Sequence, residues 1–486
     1  MNAFLKLSFL LLLSLSRITA AAQTVDFFKK YARTSGEHNG NAIINTNDGN
    51  LLIAGTEMTG GGSASDIDIR LIKTNISGDT LWTKRIGTTA YADIVRNVVQ
   101  LPNNNYLLAG HKALYPSLNL VATLICTDPQ GSLLWERSYP LPGYSHTSFH
   151  SIKLIPGGLA ICGNTTDSVT SDINAWLVKT NLSGDTVWSR HYGTVARDVA
   201  ATMVQTPDNG FILAGETYNG VMSDAWLLKT DAAGNQLWSK TFGIANKSDG
   251  IMDLIPAIHN GQLTGYVFTG YTGYNTFDVA SILLMKVDTA GNLIWDRSIL
   301  TGFSMQYAMG NCIRQLSNGG FYIAANEAIT DVDRALLMVK TDSAGNIIHR
   351  LHQMGQDSII IIPNSMCVSS SDKLFVTGMH LKARGGSSDC FLARISGSAT
   401  AVLSIGLNSA IQLYPNPASH DVTITSAGEK IYRIVLRDIS GRTLRNIAAN
   451  GVSSVKISLT GIPAGTVFVS VHTNAIVPTV LKLTVL

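Results

Sequence analysis

A unit of about 53 residues recurs along most of this 486-residue chain, and it limits the fold more than any other feature. Residues 207–243 read PDNGFILAGETYNGVMSDAWLLKTDAAGNQLWSKTFG, and residues 156–193 read PGGLAICGNTTDSVTSDINAWLVKTNLSGDTVWSRHYG. A glycine closes the second apolar stretch at Gly55, Gly110, Gly163, Gly215, Gly270 and Gly378, with Ala325 in its place once. A tryptophan recurs at Trp82, Trp135, Trp188, Trp238 and Trp295, with His349 in its place in the sixth copy. Seven copies are present.

Each copy has four apolar stretches separated by turn residues, which predicts four short strands. Asn75, Asp128, Asn181, Asp231, Asp288 and Asp342, each followed three residues later by Gly, are hairpin-turn chemistry and need no bound metal. Four-stranded units at this period predict an all-β, seven-bladed β-propeller. The seventh copy lacks a tryptophan strand. The segment Phe27-Phe28-Lys29-Lys30-Tyr31 has the same aromatic spacing as Trp238 to Phe242, so the N-terminal strand is expected to complete the last blade. Closure in that way removes an open sheet edge. The Asp231, Gly234, Trp238 tract is similar to the tryptophan-docking motif of pyrroloquinoline-quinone propellers. Its spacing is one residue shorter and the vicinal cysteines are absent, so the likeness implies blade packing by the five tryptophans and no quinone chemistry.

Residues 1–22 read as a signal peptide: Lys6, an apolar run from Leu7 to Leu15, and Ala20-Ala21-Ala22 before Gln23. That run is too short to span a membrane, and no later stretch of about 20 apolar residues follows, so no transmembrane segment is expected in the mature chain. A net charge of +3 from 36 basic and 33 acidic residues excludes a nucleic-acid protein driven by phosphate neutralisation. Cys126, Cys162, Cys312, Cys367 and Cys390 each lie in an apolar run, as buried thiols do, although an exported compartment permits disulfides.

The repeat is expected over residues 23–396. A small-residue linker follows at 397–410, and residues 411–486 change to seven short alternating strands, as in a small Ig-like β-sandwich. This segment resembles the type A sorting domain of proteins exported by the type IX secretion system of Bacteroidetes. The resemblance rests on Tyr414-Pro415-Asn416-Pro417, Asp438 with Gly441, Gly465, Phe468 (where Tyr is commoner) and Lys482. It implies passage through the periplasm, recognition by the secretion machinery at the outer membrane, and release or attachment at the cell surface. The repeat region also looks like secreted propellers that accompany such domains, which implies a fold and no activity.

No GxSxG, HExxH, Walker loop, GxGxxG or complete EF-hand loop occurs, so no catalytic residues are assigned. His146 and His150 lie four apart, a metal spacing only on a helix. The pairs Asp66/Asp68 and Asp331/Asp333 are the sole Ca²⁺ candidates, and no resident metal or cofactor is expected. Loops at one face of the ring supply Glu37, Asp93, Asp198 and Asp249, with His38, Tyr91, Tyr144, His146, Tyr218, Tyr274 and Phe303. Aromatic faces beside carboxylates suit sugar or peptide recognition. On the innermost strand, Asn41, Asn97, Ser151, Thr202, Cys312 and Ser365 are expected to line a wet tunnel. The leading expectation is a secreted or cell-surface, non-catalytic binding module for a glycan, peptide or envelope partner. A polysaccharide hydrolase or lyase, and a purely structural surface component, stay open.

Overall fold

The computed structural model describes residues 24–31, 36–58, 67–87, 91–114, 117, 119–194, 197–218, 220–274, 280–299, 307–328, 334–353, 359–369, 373–382, 387–396, 411–426, 430–438, 443–473 and 479–486. These residues form two compact units, one before and one after residue 400. The signal segment 1–22, the linker 397–410, Asp66, Asp331, Asp333, Phe303 and Gly441 lie outside them.

In the first unit, strand pairing sorts 28 strands into seven antiparallel sets of four. The fourth set is representative: Asp198–Gln205, Phe211–Tyr218, Ser223–Thr230 and Gln236–Phe242 pair in chain order. Its second and third strands are apolar on both faces because sheets pack on each side, while the fourth strand alternates and faces outward. The core therefore lies between successive sheets. Ile155, Cys162 and Leu177 of the third set meet Met203, Phe211, Leu213 and Trp226 of the fourth in one cluster. This is the β-propeller architecture. The five cysteines are all buried and unbridged.

The ring closes through its two ends. Thr24–Tyr31 pairs antiparallel with Ser388–Ser396 and supplies the fourth strand of the last set. Ile43, Leu51, Ile53 and Ile72 of the first set share a core with Cys367, Phe375, Cys390 and Leu392 of the last.

The turn residues hold the outer strands. Asp231 Oδ1 accepts the backbone N–H groups of Ala233 and Asn235 at 2.9 and 2.8 Å, and Asp288 and Asp342 repeat the pattern. Gly131 sits in the left-handed region at φ 79°, and a Cβ there would come within 2.9 Å of the Trp82 ring of the preceding set. The same glycine-on-tryptophan contact recurs for Trp135, Trp188, Trp238 and Trp295. Phe27 takes that place against Gly78, and the Tyr31 hydroxyl donates to the Gly78 carbonyl at 2.8 Å, as the Tyr192 hydroxyl donates to Gly234 at 2.6 Å.

The C-terminal unit is a β-sandwich. Ile411–Tyr414, Asp421–Ser426 and Ser454–Ser458 form one sheet, and Ile431–Arg437, Thr443–Val452, Gly465–His472 and Thr479–Val485 the other. Val422, Ile424, Ile434, Leu436, Val469 and Leu483 fill the space between them. Asn416 Oδ1 accepts the Thr484 N–H at 2.8 Å, which fixes the Tyr-Pro-Asn-Pro turn against the last strand. Tyr414 and Phe468 are exposed, and Phe468 lies opposite Lys482 in the ladder.

Candidate functional site

Among the described loop-face residues, three of the four carboxylates are held inside the fold. Asp93, Asp198 and Asp249 are at most 1% exposed. Asp198 accepts from the Thr217 hydroxyl and from the Thr194 N–H at 2.8 Å. Asp249 accepts from the Thr272 hydroxyl, from Ile244 N–H at 2.9 Å and from Gly273 N–H at 3.0 Å. Gly193 and Gly243 make room for these carboxylates, since a Cβ at either would collide with the aspartate behind it. Asp93 pairs with Lys112 at 3.4 Å, and that ammonium lies 5.3 Å from the centre of the Tyr91 ring. His38 is buried with Nδ1 3.8 Å from Glu57 Oε2. Glu37 is exposed, and its carbonyl accepts the Met58 N–H at 2.8 Å. Tyr218 is half-buried, and its N–H donates to the Arg197 carbonyl at 2.8 Å. Tyr144 stacks on His191, and His146 meets its neighbour Ser145. Strand-start carboxylates that look free in a repeat alignment are struts, because the N–H groups at each turn need an acceptor once they are buried.

Replacing Asp249 with Ala should orphan two backbone donors and a hydroxyl. A loss of about 2–4 kcal/mol is expected, measured as a lower denaturant midpoint with an unchanged slope.

The tunnel lining also differs from the sequence expectation, by one residue. The innermost strand of every set carries a β-bulge, between Gly40 and Ala42, Val95 and Asn97, Phe149 and Ser151, Ala200 and Thr202, Ile251 and Asp253, Gly310 and Cys312, and Pro363 and Ser365. The bulge shifts the pleat, so the extra residue takes the central position. The bulge residues are Asn41, Arg96, His150, Ala201, Met252, Asn311 and Asn364. Asn97, Ser151, Thr202, Cys312 and Ser365 pair with the second strand instead, and Ser151, Thr202 and Cys312 are buried. Of the expected ring only Asn41 is a bulge residue. Aligned on the repeat, this column mixes amide, cationic and apolar residues: Asn41, Arg96, His150, Ala201, Met252, Asn311 and Asn364.

Six of the seven bulge residues line a central cavity of about 590 Å³. Asn39, Asn41 and Asn364 provide amides. Arg96, His150 and Arg197 provide nitrogen donors or acceptors, while Ile251, Met252, Ile362, Met379 and Tyr271 provide an apolar wall. Three bulge residues bridge neighbouring sets. Asn41 Nδ2 donates to the Val95 carbonyl at 2.8 Å, His150 Nδ1–H to Ala200 at 3.0 Å, and Asn364 Nδ2 to Gly40 at 3.0 Å.

Among the described residues, Glu216 is the single carboxylate in the lining, and it is engaged. Arg197 holds it at 2.7 Å and the Tyr271 hydroxyl donates to its other oxygen. Burial, with Glu216 beside it, pushes the Tyr271 phenol far above its ordinary value, so it stays protonated. Burial, followed by the positive charge of Arg96, holds His150 down to about 4 and neighbouring His111 to about 3. Both imidazoles are neutral at pH 7. No group of three or more metal-ligating side chains occurs among the described residues. Asp68, one half of a Ca²⁺ candidate, is buried against Arg85.

Residues 412–485 match the family model of a secretion system C-terminal sorting domain. The chain is therefore exported by the type IX route to the cell surface or the extracellular space. No curated protein matches the sequence. Similar solved structures include Sqt1 of Chaetomium thermophilum (13% identity, covering 75% of this chain and 86% of that one, TM-score 0.42). A protein of unknown function from Dyadobacter fermentans is 10% identical over 77% of this chain and 99% of its own, with a TM-score of 0.41. A subtype N10 neuraminidase-like protein of A/little yellow-shouldered bat/Guatemala is 8% identical over 77% and 100%, with a TM-score of 0.36. Among the described residues, no helix is long and apolar enough to cross a membrane.

Proposed function

We propose that this chain is a secreted or surface-held, seven-bladed binding module of Bacteroidetes origin that takes an extracellular glycan into its central cavity without catalysis. Residues 1–22 act as the signal peptide, residues 23–396 form the ring, and the 397–410 linker separates it from the sorting domain at 411–486. The observation that carries the reading is the composition of the cavity wall. Carboxylate-pair hydrolysis needs two acids roughly 5–10 Å apart, whereas among the described residues the cavity offers only Glu216, occupied by Arg197 and Tyr271. Polar groups set against an apolar wall, in a volume within the roughly 300–1,000 Å³ of small-molecule sites, suit binding and orientation.

The test is a glycan and peptide array probed with the mature chain, each hit then incubated with protein and examined by mass spectrometry. Intact, retained glycans are the expected result. Cleaved glycans would replace this reading with a hydrolase or lyase, and an array without hits would leave a structural component.

A further inference from the structure

We infer that the cavity recognises an acidic saccharide, with Arg96 as the seat of its anionic group; this rests on the binding-module reading and narrows it. Arg96 lies at the bulge between Val95 and Asn97 and lines the cavity. Among the described residues it has no carboxylate partner, whereas the adjacent Arg197 is neutralised by Glu216. An arginine that lines a cavity without a counter-ion is open to an anion, because its planar fork matches a carboxylate or sulfate through two parallel hydrogen bonds. Burial, and after it the positive charge of Arg96, lowers His111 and His150, so neither imidazole competes with Arg96 as a cation at pH 7.

The rest of the wall selects the class of molecule that carries the anion. Asn41 and Asn364 use their Nδ2 groups on backbone carbonyls, which leaves each amide oxygen as an acceptor. His150 donates from Nδ1, so neutral imidazole leaves Nε2 as a third acceptor. A ligand that satisfies these groups needs one anionic group and several hydroxyl donors on one compact frame. Ile251, Met252, Ile362 and Met379 supply apolar surface for the C–H face of a sugar ring. Uronate, sialate and sulfated sugars share this chemistry. A peptide carboxyl terminus brings the anion but few donors at the required density.

The experiment uses the mature chain and its Arg96→Gln and Arg96→Lys variants. The probes are uronate-, sialate- and sulfate-bearing oligosaccharides, their neutral counterparts, and acidic peptides, with affinities measured by calorimetry on the array hits. Wild-type protein is expected to prefer an acidic sugar over its neutral counterpart. Arg96→Gln should weaken that ligand by about 10–100-fold, in line with a charge-assisted pair, and leave the neutral one unchanged. Arg96→Lys should recover part of the loss, and added salt should weaken only the acidic ligand. Equal binding of neutral and acidic sugars, or acidic binding indifferent to Arg96→Gln, would overturn the inference while leaving the glycan-binding reading intact. Hits confined to acidic peptides would overturn both the saccharide assignment and the glycan reading. No hit of any kind would remove the binding reading itself. Matching thermal midpoints for the three proteins keep misfolding out of the comparison.

Discussion

Deleting residues 24–31 should abolish the cooperatively folded ring and leave an aggregation-prone protein. The strand they form is the outer member of the last set, pairing residue by residue with Ser388–Ser396. Without it, that strand exposes an unpaired edge, the feature that templates association between chains. The side chains lost are substantial. Phe28 stacks on Phe391 at 4.9 Å between centroids, Asp26 holds Arg394 at 2.8 Å, and Tyr31 reaches Gly78 of the first set. Losing two packed aromatic rings and a fully paired strand is comparable to the roughly 5–15 kcal/mol by which a domain is stable. Size-exclusion chromatography and denaturant unfolding should show oligomers and no two-state transition. A synthetic peptide of residues 23–31 added in trans should recover part of the transition. A deletion mutant that stays monomeric and unfolds at the wild-type midpoint would show that the first and last sets hold together without the strand.

Removing residues 411–486 should move the protein from the outside of the cell to the inside. The sandwich has its own core, built from Val422, Ile434, Val469 and Leu483 among others, so the ring loses none of that core when the domain is cut away. Fractionation with immunodetection should show a drop of at least tenfold in surface and medium material, with a matching gain in the periplasm. The reciprocal experiment, joining residues 397–486 to a neutral periplasmic reporter, should carry the reporter outward. Undiminished surface material after the deletion would mean that another segment directs export.

Much of the architecture was legible in the chain. A repeat of glycine, tryptophan and Asx-turn residues can be read without coordinates because each acts locally. Asp231 caps its own turn, and Gly234 adopts the left-handed conformation that the turn requires. The Phe27 to Tyr31 spacing was likewise enough to place the N-terminal strand in the last set. The buried Trp176 and Trp226 lie outside the repeated tryptophan column. They sit on third strands and donate to Ser189 and Ser239 across the ladder, a relation that appears only once the strands are paired.

The site was far less legible. Asp198 and Asp249 are carboxylates at loop positions, which by sequence alone suits ligand binding. Their burial against turn N–H groups depends on how closely Gly193 and Gly243 let the chain approach. The bulge in each inner strand offers a second lesson, because one inserted residue exchanges the two faces of a strand whose side chains alternate. Sequence periodicity therefore pointed to Asn97, Ser151 and Thr202, and the folded sheet presents Arg96, His150 and Ala201.

By itself the sequence determined the repeated unit, its turns, the closing strand and the exported tail, since those depend on residues that act within a few positions of one another. Tertiary structure alone decided which side chains meet at the centre and which of them carry an unmatched charge. Those properties arise where innermost strands hundreds of residues apart in the chain turn six of their seven bulges toward one cavity.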